Sequence, residues 1–167
     1  VGTSATAAVG VVFSLMSIIQ AVGYGIGMGA NSIISRELGA RNDEKAHESG
    51  SSAMAAALLF GIAIMIAGLG AIAPIMRALG STETILPYAC DYAWYILISA
   101  PIMCSSFVLN CLLRAQGMAT LAMWGLCTGG ILNIVLDPLF IFGLNMGISG
   151  AALATSVSQL VGFIILL

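Results

Sequence analysis

Charge is what this sequence has least of. Its 167 residues hold five Lys and Arg and seven Asp and Glu, only 7% charged, where soluble domains run near a quarter. That scarcity argues against a soluble globular domain. The net charge of -2 and the lack of any basic patch exclude nucleic acid as a partner. There is one histidine, His47, in "HESG"; a zinc protease HExxH pair needs a second, so His47 reads as a solvated side chain of a charged connector. No Ser-His-Asp or Cys-His nucleophile set can be assembled either, and an enzyme is not expected. Nor is a cofactor, a Na⁺ ion apart. Cys90, Cys104, Cys111 and Cys127 form no CxxC pair; they read as small buried hydrophobes.

What the sequence has is apolar length. It is 60% hydrophobic, with a mean hydropathy of +1.08. Five runs emerge, over residues 5–34, 51–76, 85–113, 121–142 and 148–167, each long enough to cross a bilayer core of about 30 Å as a helix. Lipid offers backbone groups no partner, which leaves helices or closed barrels. Barrel strands alternate in polarity over about ten residues, and these runs do not. The expectation is an all-α, polytopic membrane bundle, a single transmembrane domain over 1–167. The first run is too long, too rich in Gly and Met, and too poor in basic residues for a secretory signal. A start without Met and an end inside an apolar run lead us to expect a segment of a longer protein.

The connectors "SRELGARNDEKAHESG", "RALGSTET", "RAQGMAT" and "GLNMG" are short and polar. Arg36, Arg41, Lys45 and Arg114 fall in the first and third, so the positive-inside rule places 36–50 and 114–120 in the cytoplasm and the N-terminus of the chain outside a cell membrane. Glu37 and Glu44 are candidate surface partners for those cations. Tyr88, Tyr92, Trp94 and Tyr95 then read as an outer interfacial cluster, with Trp124 near the inner interface.

"GYGIGMGA" pairs Gly23 with Gly27 and Gly25 with Gly29, a spacing that lets helices approach closely. It also fits a loose GxGxxA pattern from Gly25 to Ala30, but without a preceding strand or a βαβ unit a nucleotide site is rejected. Nine methionines, Met16, Met28, Met54, Met65, Met103 and Met123 among them, suit packing or lipid contact first, and secondarily an adaptable surface for varied ligands.

Polar groups inside apolar runs are the remaining signal: Gln20, Asn110, Asn133, Asp137, and Thr155 with Ser156, Ser158 and Gln159. Asp137 is the one carboxylate well inside a run, where insertion costs on the order of several kcal/mol. In "NIVLDPLF", Asn133 and Asp137 are four apart and share a helix face. Pro138 removes the N–H that would bond the Ile134 carbonyl. An amide, a carboxylate and a freed carbonyl are hard oxygen ligands suited to a small cation. A proton is the alternative load, since burial favours the neutral carboxyl and a bound cation the charged one. The bland alternative is that Asp137 sits near the outer end and meets water, only about 7–8 Å from Phe142 along a helix. The hydroxyls around Thr155 have their own bland reading as bridges between helices.

Three stretches resemble one family. "GANSIISRELGARNDEKA" resembles the end of the second helix and the following loop of multidrug and toxic compound extrusion (MATE) transporters. "LNCLLRAQGMAT" is similar to the end of their fourth helix and its loop. "NIVLDPLFIFGLNMGISGAALAT" is similar to their fifth helix, outer loop and the start of their sixth. The resemblance implies helices two to six of one six-helix lobe in a twelve-helix protein, whose first helix and C-terminal lobe would be this chain's partners alongside the lipid bilayer. It further implies export of cationic or amphipathic drug-like compounds by antiport with Na⁺ or H⁺. The family's cation site carries over to Asn133, Asp137 and Thr155, with an acidic residue of the first helix, and by motif to Asn110. Asn110 counts only about 6 Å from Arg114 along the helix, so contact with Asp137 would need water or a longer helix. Pro138 would let the fifth helix bend. Two other readings are kept. A lipid-linked saccharide flippase of the same superfamily calls for a more basic cavity. A non-transporting scaffold subunit, or more weakly a channel, predicts that Asn133, Asp137 and Thr155 do not converge.

Overall fold

The computed structural model describes residues 2–167. The chain runs as α1 (Thr3–Gly39), α2 (Asp43–Gly70), a short α3 (Ile72–Ala78), α4 (Leu86–Ala115), α5 (Ala119–Pro138), a π-helical turn (Leu139–Gly143) and α6 (Ile148–Leu166). Five helices are long and apolar enough to cross a membrane, α5 counting together with its π-turn. The chain is an all-α, polytopic membrane bundle.

The first connector is much shorter than the charge run suggests. α1 continues to Gly39 and α2 begins at Asp43, so Arg36, Lys45, Glu44 and His47 sit on helices and not in a loop. Local chemistry explains this. Asn42 caps α2 by accepting from the Lys45 N–H at 3.4 Å, and Asp43 and Glu44 occupy the first turn, where the helix dipole favours negative charge. His47 remains exposed. The second run is not continuous: α2 ends at Gly70 and α3 is a separate helix. Pro74 has no N–H to offer the Gly70 carbonyl, which breaks the ladder there. Gly117, at φ +81°, turns the chain between α4 and α5.

α4 is the hub. Most of its membrane-spanning stretch is buried. α1 and α2 pack on one side of it, and α6, with α5 beyond, on the other. Glycine decides where helices meet. Gly23 faces Phe107 and Cys104, and Gly27 faces Cys111 and Val108, so tightly that an added Cβ would lie 2.8 Å from the Cys111 sulfur. Gly25 and Gly29 face open space, so only one of the two spaced pairs packs within this chain. Gly61 sits on the Pro101 backbone, where a Cβ would come within 2.5 Å of its Cα. Asn31 donates to the Cys111 carbonyl at 3.2 Å and ties α1 to α4. Arg36, Arg41, Lys45 and Arg114 gather at one end of the bundle, called here the basic end; Arg77 lies near the other, paired with Glu83 at 3.2 Å.

Candidate functional site

α5 and α6 form a hairpin, so the last turns of α5 face the first turns of α6. Gly150 allows the approach: its position lies against the Phe140 backbone, with room for no Cβ. This brings Asn133 and Asp137, one turn apart on α5, opposite Thr155 on α6. The Asn133 amide donates to the Thr155 hydroxyl at 3.2 Å and, at the long limit of a hydrogen bond, to an Asp137 carboxylate oxygen at 3.5 Å. The Thr155 hydroxyl donates back to the Ala151 carbonyl at 3.0 Å. Asn133, Asp137 and Thr155 are all half-buried.

Thr155 and its neighbour divide their labour. Ser156 reaches the other way, to Ser99 at 3.3 Å and the Tyr95 carbonyl at 3.4 Å on α4; it is the helix bridge. Pro138 and Ile134 are both exposed, a helix position round from Asp137 and Asn133.

Tyr92 is the residue that the sequence reading misplaced. It is 5% exposed, not interfacial, while Tyr88 and Trp94 are exposed. Its phenol faces the Thr155 hydroxyl. The available signal was its spacing with Ala89, Ala93 and Ile96, all fully buried, which puts Tyr92 on the inner face of α4.

Asn110 is a correction. It does not join the cluster. Buried at 1% exposure, it donates to the Ala122 carbonyl at 2.8 Å and accepts from the Arg114 guanidinium. Ala122 lies fifteen residues before Asp137 on α5, about 22 Å along the axis. Asn110 therefore staples the basic ends of α4 and α5. Between it and the cluster lies a cavity of about 60 Å³, lined by Ser106 and Asn110 of α4, Gly125 and Gly129 of α5, and Ser158 and Gln159 of α6.

The donor set can be tested against a cation. One carboxylate, one amide and one hydroxyl are hard oxygens of the kind small cations take. The Asn133 nitrogen, not its oxygen, faces Asp137 and Thr155, so holding a cation requires that amide to turn over, and further oxygens from outside this trio. Among the described residues no three His, Cys, Asp or Glu side chains converge, which fits a weakly held cation or a proton better than a transition metal.

Comparison with known proteins places this chain in a family. The MatE family model matches residues 1–139. The multidrug export protein MepA of Staphylococcus haemolyticus is 34% identical over 155 residues, 91% of this chain and 34% of that protein. An FAD transporter of Shewanella oneidensis is 34% identical over 166 residues, 96% of this chain and 36% of that protein. A crystal structure of MATE in the bent conformation superposes with a TM-score of 0.95 at 37% identity, over 99% of this chain and 37% of that one. A multidrug resistance MATE family transporter of the MOP superfamily, caught inward-facing, gives 0.95 at 37% identity, over 99% and 38%. The chain thus spans about a third of the length of the curated relatives it matches. With a family match over most of its length and the same helical architecture, this chain belongs to the MatE family.

Proposed function

We propose that this chain forms helices two to six of the N-terminal lobe of a secondary multidrug exporter. In this reading the exporter expels cationic or amphipathic compounds by antiport with Na⁺ or H⁺, and Asn133, Asp137 and Thr155 are its coupling site. The observation that carries the reading is the convergence of those three side chains from two helices, around the one carboxylate well inside an apolar run. It is supported by relatives named as multidrug export proteins. A non-transporting scaffold would have no need of that convergence. A saccharide flippase calls for basic groups in the cavity, and the basic residues here are at the ends. The FAD transporter among the relatives makes FAD the natural second cargo to assay.

In the coupling step, Asp137 carries either a proton or part of a cation's ligand shell. A neutral carboxyl accepts the Asn133 amide as drawn. A bound cation turns the Asn133 oxygen inward and draws on the Thr155 hydroxyl. Each load favours a different arrangement of α5 against α6, and a ligand shifts such an equilibrium only through its differential affinity for the two states. The basic end faces the cytoplasm of a cell membrane, by the positive-inside rule, and the start of α1 faces outside.

The test uses the full-length transporter in proteoliposomes, with efflux of a cationic dye driven by a Na⁺ or a pH gradient. Asp137→Asn should abolish gradient-driven efflux. Thr155→Val should weaken it, and Thr155→Ser, which keeps the hydroxyl, should restore it. Undiminished coupled efflux by Asp137→Asn would overturn the assignment.

A further inference from the structure

The outer end of α5 departs twice from the α-helical hydrogen-bond register within a few residues. Pro138 contributes no N–H, so the Ile134 carbonyl receives no α-helical bond. The ladder resumes beyond it with a bond to the Leu136 carbonyl. The Leu144 amide then bonds five residues back, to the Leu139 carbonyl at 3.1 Å. A missing rung and a wide rung lie directly beyond Asp137. Single π turns inside helices often sit at functional sites, and kinks arise at proline and at such turns.

What lies beyond the π-turn is held firmly. Gly150 of α6 abuts Phe140: an added Cβ would fall 2.8 Å from both its carbonyl carbon and its oxygen, and 3.1 Å from the Ile141 nitrogen. The Met146 amide donates to the same Phe140 carbonyl at 3.3 Å. Asn145 at φ +52° and Gly147 at φ +59° lock the connector into left-handed geometry, which only a few residue types adopt readily. The anchored part is therefore the π-turn's outer side and α6, which carries Thr155. The free part is the shaft of α5 below Pro138, which carries Asn133 and Asp137.

We propose that Pro138 and the π-turn Leu139–Gly143 form a hinge on which the α5 shaft turns against α6, with Gly150 as its bearing, so that Asp137 approaches or leaves Thr155 as its load changes. This rests on the coupling role proposed above for Asp137 and adds the part that moves. A π turn holds one residue more than an α turn, so exchanging the two rotates one side against the other by about 100°. Much less than that is enough to part Asn133 from Thr155, 3.2 Å away across the two helices. Gly150 and the residues of the turn are positioning residues in this scheme.

Backbone hydrogen exchange of the wild-type transporter, with and without the coupling cation or at two proton concentrations, reads the hinge without any variant. Amides of 139–146 should change their exchange by about tenfold on loading, within the usual range of coupling between sites, and Asp137→Asn should erase that change. Deleting Phe142, a 70% exposed side chain, returns the turn to α register; Gly150→Ala pushes it off its bearing. Both should raise the half-saturating cation or proton concentration for efflux by about tenfold while dye affinity stays within about twofold. Exchange at 139–146 that ignores the load, in a protein where Asp137→Asn still uncouples efflux, overturns the hinge alone. Coupled efflux that survives Asp137→Asn overturns the coupling role and the hinge with it. A Gly150→Ala protein with wild-type half-saturation also overturns the hinge.

Discussion

Gly25 and Gly27 are two residues apart on α1, both midway along a helix, and the same substitution should have opposite effects on them. Replacing Gly by Ala in a helix removes backbone freedom from the unfolded chain and is worth roughly 0.5–1 kcal/mol. At Gly25 nothing lies within 4 Å of the new methyl group, so that gain stands. At Gly27 the methyl carbon would sit 2.8 Å from the Cys111 sulfur, 2.9 Å from its Cβ and 3.2 Å from the Val108 Cα. Carbon atoms prefer about 3.5–4.0 Å. Cys111 is itself buried, at 1% exposure, and the Val108 Cα is backbone that cannot rotate away. α1 must therefore back off α4, and overpacking of this kind costs roughly 1–3 kcal/mol. The propensity gain is common to both variants, so it cancels in their difference, which should be about 1–3 kcal/mol, or roughly 5- to 150-fold in the unfolding equilibrium. Reversible unfolding of the chain in mixed detergent micelles, followed by the fluorescence of Trp94 and Trp124, measures it. Gly25→Ala should be slightly more stable than the wild type and Gly27→Ala less stable. Two variants within about 0.5 kcal/mol of each other would refute the reasoning, because packing against α4 would then not be what the glycine serves.

Gly61→Ala should be at least as costly as Gly27→Ala, since its methyl meets the Pro101 Cα at 2.5 Å and no side chain can yield; the same unfolding assay decides, and a loss below about 1 kcal/mol would contradict the close α2–α4 contact. Asn110→Ala removes a buried donor from the Ala122 carbonyl and should cost about 1–3 kcal/mol of stability. In efflux assays it should leave the half-saturating cation concentration unchanged, unlike Asp137→Asn; a shifted half-saturation would return Asn110 to the coupling site.

Which parts of this were legible beforehand follows from the solvent. In lipid, length and apolarity alone mark a spanning helix, so the five spans could be read directly. Periodicity, the usual guide to which face is buried, fails here because the outer face is as apolar as the inner. On α2 the buried residues are Ala46, Ala53, Ala57, Gly61 and Gly68, while Leu58, Leu59 and Phe60 are exposed. α5 buries only Ala122 and Gly125. On α2 and α5 small residues mark the contacts and large ones are left exposed, the reverse of a soluble pattern. That reversal also hid Tyr92, read as an interfacial aromatic because of its neighbours.

The sequence by itself determined the five apolar spans, the concentration of Arg and Lys at one end, and the shared face of Asn133 and Asp137, because each depends on residue type and on the 3.6-residue turn alone. The tertiary structure decided what lies opposite. It chose Gly23 and Gly27 over Gly25 and Gly29, turned Tyr92 inward, and set Asn110 some 22 Å along α5 from Asp137. It also set Thr155 against Asn133, 22 positions apart along the chain. Such choices depend on how two helices cross and turn about their axes, and local sequence does not encode a rotation angle when lipid accepts every apolar face equally.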